Sequence, residues 1–249
     1  MPVDDSQGTV ALLAGASGLV GRELLELLIG ARDFSRIYAV TRRQLGREHP
    51  RLANRIVQFE RLESQLKGMA CHTAFCCLGA HRGDARTAAA ARAIELDYVV
   101  AFARSAKLAG AQRFVFLSCA AAQARSEPPA LRYKLEAERA LEGMDFASLD
   151  ILQPGPLLAL RREMTPLDLV RFLGMPLVNT FLVGAREMYR GVPARLVAEA
   201  MLGAARSGRR GVYRYTYAAL QALATAPPPR IGAKAPGGAA AVPKSSRPP

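Results

Sequence analysis

The sequence predicts an α/β fold, a doubly wound and mostly parallel sheet with a small C-terminal lobe. Three observations carry that prediction. Short apolar runs alternate with longer stretches of helix-forming residues over most of the chain, the order that wraps helices over both faces of a parallel sheet. A glycine-punctuated turn joins the first apolar run to the first helical stretch. The 249 residues, half of them hydrophobic, can bury one substantial core and fall short of two full domains.

The elements follow in order. TVALLAGASGLVGRELLELLIG reads as a strand, a turn and an amphipathic helix, and RIYAVTRR as a second strand that ends in basic residues. RIVQF is a third strand followed by ERLESQLKG, and HTAFCCLG a fourth, ending near Gly79. DARTAAAARAIELDYVVAFARSAKLAGA is rich in helix formers and leads into the strand RFVFLS. PPALRYKLEAERALEG is the next helix and FASLDILQPG the sixth strand. Right-handed crossovers would leave the carboxyl ends of these strands on one edge, where a ligand sits. Beyond Pro154 the regularity drops, with Pro166, Gly174 and Pro176 breaking short helical stretches. GVPARLVAEAMLGAARSGRRG then reads as a helix with a glycine stop, and VYRYTYAALQALA as a short strand and a last helix. The expected organisation is a single domain over 1–226, with the smaller lobe mainly from 157–223, and a flexible tail rich in proline, glycine and alanine over 227–249.

Composition narrows the function. The net charge of +13 invites a nucleic-acid reading, but Arg230, Lys234, Lys244 and Arg247 lie in the acid-free tail and the remaining charges are spread over helices without a dense basic block. Dedicated nucleic-acid binding is therefore not expected. No apolar stretch is long enough to span a bilayer, and MPVDDSQG lacks the basic-then-apolar order of a secretory signal, so a cytoplasmic location is the default. Cys71, Cys76, Cys77 and Cys119 form no disulfide framework in such a chain. A zinc site from Cys71, His72, Cys76, Cys77 and His81 is not expected either. Adjacent cysteines on a strand point to opposite faces, which leaves them as small buried hydrophobes.

The turn GASGLVG places Gly15, Gly18 and Gly21 at GxxGxxG spacing between strand and helix. Gly15 would permit the tight turn, Gly18 the approach of a pyrophosphate to the backbone, and Gly21 close packing of the helix on the sheet. Ser17, Leu19 and Val20 fill the same turn, and its N–H groups can meet phosphate charge. This is the signature of a Rossmann-type dinucleotide-binding domain. VTRR holds no carboxylate for an adenosine ribose; Arg42 and Arg43 stand there instead, roughly 20 residues beyond the turn, and guanidinium groups grip a 2′-phosphate. NADP is therefore expected over NAD. Leu78 and Gly79 are expected beside the adenosine, and Pro154 and Gly155 beside the nicotinamide.

Together GASGLVGREL, VTRR, FCCLGAHRGDA, ELDYVVAFARSAKLAGAQRFVFLSC and YRGVPARLVAEAMLGAA resemble the atypical short-chain dehydrogenase/reductases of the Tat-interacting-protein-like oxidoreductase group. The resemblance runs over roughly residues 8 to 223. It implies an NADP-binding Rossmann fold with a small substrate-side lobe, a serine near the end of the fifth strand, and a tyrosine four residues before a lysine. In the usual mechanism the tyrosine moves the alcohol proton, the lysine lowers the tyrosine's pKa and binds ribose, and the serine orients the carbonyl. Carried over residue by residue, the lysine is Lys134, the serine Ser118 with Cys119 beside it, and the tyrosine position holds Ala130. Tyr133 adjoins Lys134, about 100° away on a helix, and cannot copy a spacing of four; it remains the one candidate acid nearby. His81, Arg82, Arg161, Arg162, Tyr189 and Arg190 are secondary candidates around the cleft, and Gln153 stands where relatives often carry arginine before Pro-Gly.

The expected function is an NADP-dependent oxidoreductase with an altered catalytic set, acting on a small-molecule or nucleotide-linked substrate as a monomer or homodimer. The alternative is a noncatalytic dinucleotide-binding protein that senses redox state and regulates a protein partner.

Overall fold

The structure, a computed structural model, describes residues 8–80, 87–120, 129–158 and 190–225. Its centre is a seven-stranded sheet in the order β3-β2-β1-β4-β5-β6-β9, formed by β1 (Thr9–Ala14), β2 (Phe34–Thr41), β3 (Leu52–Ile56), β4 (Thr73–Cys76), β5 (Arg113–Leu117), β6 (Ser148–Leu152) and β9 (Gly211–Tyr215). Every neighbouring pair is parallel, with β1 between β2 and β4. The strand order reverses between β1 and β4, which opens a crevice above their carboxyl ends.

Alternation along the strands builds two cores. Ala11 and Leu13 of β1, Phe75 of β4 and Val115 of β5 face one side. There they meet helix α1 (Leu19–Gly30), helix α6 (Ala194–Arg206) and helix α7 (Tyr217–Thr225). Leu12, Ala14, Ala74, Cys76, Phe114 and Phe116 face the other side. That side is covered by α2 (Leu62–Gln65), α4 (Tyr98–Leu108) and α5 (Pro129–Glu142). Cys76 and Cys77 enter opposite cores, as successive strand residues must. Burial pushes the Cys71 and Cys76 thiols up to about 12, so at neutral pH they are inert apolar groups.

Local sequence explains the helices. In α1 the buried Val20, Leu24, Leu25 and Leu28 recur at helical spacing, and the Arg51 guanidinium donates to the carbonyls of Ile29, Ala31 and Phe34 where the helix ends. The single helix expected after the fourth strand is α3 (Ala88–Arg92), a π-helical turn over Ala93–Asp97, and α4. Thr87 caps its start by accepting from Ala90 N at 3.1 Å. The third strand lies a few residues earlier than RIVQF: it ends at Ile56, Val57 makes a last bond to the Thr41 carbonyl, and Val57 and Phe59 enter the core.

The C-terminal elements split. β9 and α6 complete the main layers, and α7 packs on α6 with Leu220 and Leu223 in the same core. A two-stranded parallel sheet of β7 (Leu157–Leu158) and β8 (Val192–Pro193) forms a small additional lobe. Residues 159–189 of the expected lobe and residues 226–249, almost all of them the expected tail, lie outside the described residues, as do His81, Arg82, Arg161, Arg162 and Tyr189. Among the described residues no helix is long and apolar enough to cross a membrane.

Candidate functional site

The crevice at the strand switch is a cavity of about 480 Å³, lined at its centre by Gly15, Ser17, Gly18, Leu19 and Val20. Gly15 has φ +83°, and a Cβ there would lie 2.5 Å from the Cys77 carbonyl oxygen. Gly21 is buried beneath the turn, where a Cβ would meet the Gly15 oxygen at 2.0 Å. Side chains at these two positions are sterically excluded. Gly18 caps α1 without a side chain, and the first turn carries no acid. The N-terminal N–H groups of a twelve-residue helix therefore face the cavity unblocked by a side chain and unopposed by a carboxylate. An anionic diphosphate fits this arrangement.

One end of the cavity is walled by Val40, Thr41, Arg42, Phe59 and Tyr98. The rings of Phe59 and Tyr98 lie 5.2 Å apart, and the Tyr98 hydroxyl donates to Glu60. That hydrogen bond holds the Glu60 carboxyl below its usual range, with Arg42 adding its charge, and pushes the Tyr98 hydroxyl up. Glu60 itself is exposed and does not line the cavity; it is a carboxylate near Arg42 that the segment after β3 brings to this end through Tyr98. Arg43 is exposed, takes no part in the lining, and its carbonyl accepts from Thr41 Oγ1 at 2.8 Å.

The other end is walled by Leu78, Gly79, Glu95, Leu117, Ser118, Cys119 and Lys134. Lys134 is buried. Its Nζ donates to the carbonyl oxygens of Leu78 at 3.3 Å and Leu117 at 3.4 Å, lies 2.9 Å from Glu95 Oε2, and sits 5.5 Å above the Phe116 ring. Burial is the largest single influence and would pull its pKa down; the Glu95 charge and the Glu95 contact, with smaller contributions from Cys119 and Cys76, together outweigh it and raise the pKa, so Lys134 is an ammonium at neutral pH. Gly79 adjoins this pair, since a Cβ on it would lie 3.6 Å from Nζ.

Ser118 is turned inward. Its hydroxyl donates to Glu138, which also accepts from Gln153 Nε2 at 2.9 and 3.0 Å and faces Arg214 Nε at 3.5 Å. With its proton committed, Ser118 offers a cavity ligand lone pairs only. Tyr133 is half-buried on α5 and outside the cavity lining. Pro154 and Gly155 are likewise outside it; the Pro154 carbonyl instead accepts from Ala120 N at 2.9 Å. Arg190 stacks on Tyr217, 5.0 Å from the ring centre. Ten of the residues singled out from sequence therefore meet around one cavity. Sequence reasoning missed Thr41, Phe59, Tyr98 and Glu95. Glu95 had a signal, because it falls on the same helical face as Ala91, Val99 and Phe102, where a charge needs a partner.

No protein-family model matches the chain. Among curated proteins it is 34% identical over 164 residues to "Protein HTATIP2" of Rattus norvegicus, covering 64% of this chain and 67% of that protein. It is 33% identical over 168 residues to "Protein FMP52, mitochondrial" of Lodderomyces elongisporus, covering 61% and 68%. Among solved structures it matches Bordetella bronchiseptica WbmG in complex with NAD, with TM-score 0.61, 14% identity and coverage of 86% and 74%. MoeE5 in complex with UDP-glucose and NAD matches with TM-score 0.61, 18% identity and coverage of 83% and 75%.

These findings correct two expectations. NADP was expected from Arg42 and Arg43, but the structures of like fold just described hold NAD, and here Arg42 already has Glu60 beside it. A cytoplasmic location was expected from the missing secretory pattern, yet several FMP52 relatives carry a mitochondrial name; a missing export signal says nothing about other compartments. With a third of the aligned residues identical across two thirds of the rat and yeast proteins, the chain belongs to the HTATIP2- and FMP52-like family of NAD(P)-binding oxidoreductases, a branch of the short-chain dehydrogenase/reductases.

Proposed function

We propose that this protein binds NAD in the cavity at the strand switch and acts as an oxidoreductase with an altered proton-transfer set. The observation that carries the reading is the joining, in one cavity, of an unobstructed helix N-terminus over Gly15, Ser17, Gly18, Leu19 and Val20, with Gly21 packed beneath it, and the mostly buried ammonium of Lys134. The glycine turn would take the diphosphate. Thr41, Arg42, Phe59 and Tyr98 would enclose the adenosine end; Leu78 and Gly79, expected from sequence beside the adenosine, would instead join Ser118 and Lys134 at the nicotinamide end, because Gly79 adjoins Lys134 and Glu95. The bound nicotinamide would supply hydride chemistry. The chain's own contribution is to place Lys134 as a fixed donor and to present the Ser118 lone pairs to a substrate hydroxyl.

A second reading, dinucleotide binding without turnover, is favoured by Ala130 in place of the family tyrosine and by the commitment of the Ser118 proton to Glu138. Loss of a general acid costs about 10² to 10⁴ in rate.

Calorimetric titration with NADH tests the shared core. Saturable binding is expected, with NADPH no tighter; no binding of NADH overturns the reading. NADH oxidation in the presence of aldehydes and ketones then separates the two versions, since steady turnover removes the noncatalytic one.

A further inference from the structure

Among the described residues, Glu95 Oε2 is the buried side-chain oxygen that no hydrogen bond reaches. Glu95 is 5% exposed. Its Oε1 accepts from Ala80 N at 2.7 Å. Oε2 has the Lys134 ammonium 2.9 Å away, an ion pair on one side of the oxygen. The ammonium compensates the charge of this oxygen, which keeps a lone pair for a further donor, and Glu95 borders the cavity.

The backbone around Glu95 is shaped to put it there. The Tyr98 N–H closes on the Ala93 carbonyl, one residue further back than an α-helix allows, and such π turns interrupt helices mostly at functional sites. Opposite, Gly79 keeps space open over the pair, since a Cβ would stand 3.6 Å from Lys134 Nζ and 3.8 Å from Glu95 Oε1.

The chemistry of this end selects its ligand. Lysine only donates, and Lys134 already directs Nζ at two carbonyl oxygens. A ribose diol held against a lysine alone would leave its own O–H donors without acceptors in a desolvated place. Paired ammonium and carboxylate sum to zero charge, which suits a neutral sugar and not a phosphate.

We propose that Glu95 is a cofactor-binding residue whose open Oε2 accepts a hydroxyl of the ribose at the nicotinamide end, with Lys134 and Gly79 forming the rest of that subsite. The proposal rests on the NAD reading above.

The test is calorimetry of wild type and Glu95→Gln with three probes: NADH, ADP-ribose, which keeps the second ribose, and ADP, which lacks it. The variant should bind NADH and ADP-ribose about tenfold or more weakly, a loss of about 1.4 kcal/mol, and ADP within twofold of wild type. Unchanged NADH affinity in the variant overturns the assignment, and so does a parallel loss for ADP, which would mark a structural role. NADH analogues lacking the 2′- or the 3′-hydroxyl of the nicotinamide ribose give a readout on wild type that does not depend on the variant folding. At least one should bind about tenfold more weakly than NADH; equal affinity of both analogues and NADH overturns the proposal. Wild type that binds ADP and NADH equally well removes the ribose subsite while leaving the NAD reading standing. Wild type that binds no NADH ends both.

Discussion

Two buried glutamates stand by the same cavity, Glu95 in its wall and Glu138 behind Ser118, and they are finished differently. Glu138 on α5 is 1% exposed and fully engaged: Ser118 and Gln153 donate to it and Arg214 faces it from β9. Glu95, on the π turn before α4, has one oxygen held by Ala80 N and the other without a hydrogen bond. Glu138 ties α5, β5, β6 and β9 together with hydrogen bonds at both oxygens, whereas Glu95 joins the segment after β4 by one hydrogen bond and α5 by an ion pair. Equal burial therefore conceals opposite roles. A satisfied carboxylate reads as architecture, and an open one beside a cavity reads as a place kept for a ligand.

The sharpest way to break this contrast is at Glu138. Glu138→Ala strands the Ser118 hydroxyl and the Gln153 amide in the interior, and the expected loss is about 3 kcal/mol of unfolding free energy. Denaturant titration measures it as a fall in midpoint with unchanged slope. NADH affinity of the folded fraction should stay within about threefold. A variant as stable as wild type would remove the architectural role.

Lys134→Met probes the other side. It leaves Glu95 buried without its counterion, which for a sealed pair costs about 3–5 kcal/mol; with the cavity alongside to admit water, about 2 kcal/mol is expected. The pH dependence has a definite sign. The Lys134 pKa in the folded chain is raised above its usual value of 10.5, so its contribution is complete below the unfolded pKa and is lost as pH rises through the folded one. The stability gap between wild type and variant should be flat from about pH 7 to pH 9 and should close only above about pH 10.5, read from unfolding midpoints across that range. A gap that closes below pH 9 would contradict the pairing. NADH affinity should fall at least tenfold, unlike the outcome for Glu138→Ala.

What the sequence made legible follows the same division. Periodicity and the glycine spacing yield the fold and the diphosphate end, because both are written in adjacent residues: Leu24 and Leu28 repeat on one face, and Gly15 and Gly21 sit where a Cβ would strike backbone. β3 was displaced because an edge strand with Arg55 and Ile56 exposed carries little apolar signal. The cofactor preference failed for a tertiary reason: Arg42 was read alone, while Glu60, which shares its surroundings, arrives from another segment. Glu95 shows in the sequence only as a charge on a buried helical face; its place in the cavity wall depends on a π turn that composition does not announce.

The smallest effect is expected at the residue that touches both regions. Ser118 lines the cavity, yet its proton points away from it, into Glu138. Ser118→Ala removes one hydrogen bond to a charged group while Gln153 and Arg214 still serve the carboxylate, so about 1.5 kcal/mol of stability should be lost. NADH binding should change by less than about twofold, because a side chain that contributes only lone pairs adds little to a cofactor already held at the glycine turn and at Lys134. If chemistry occurs, the loss should appear in kcat for a carbonyl or alcohol substrate and not in cofactor affinity. The reverse pattern, full stability with weakened NADH binding, would mean that the Ser118 proton swings into the cavity when the cofactor arrives. Glu138 would then belong to the site as well as to the scaffold, and the contrast with Glu95 would be one of degree.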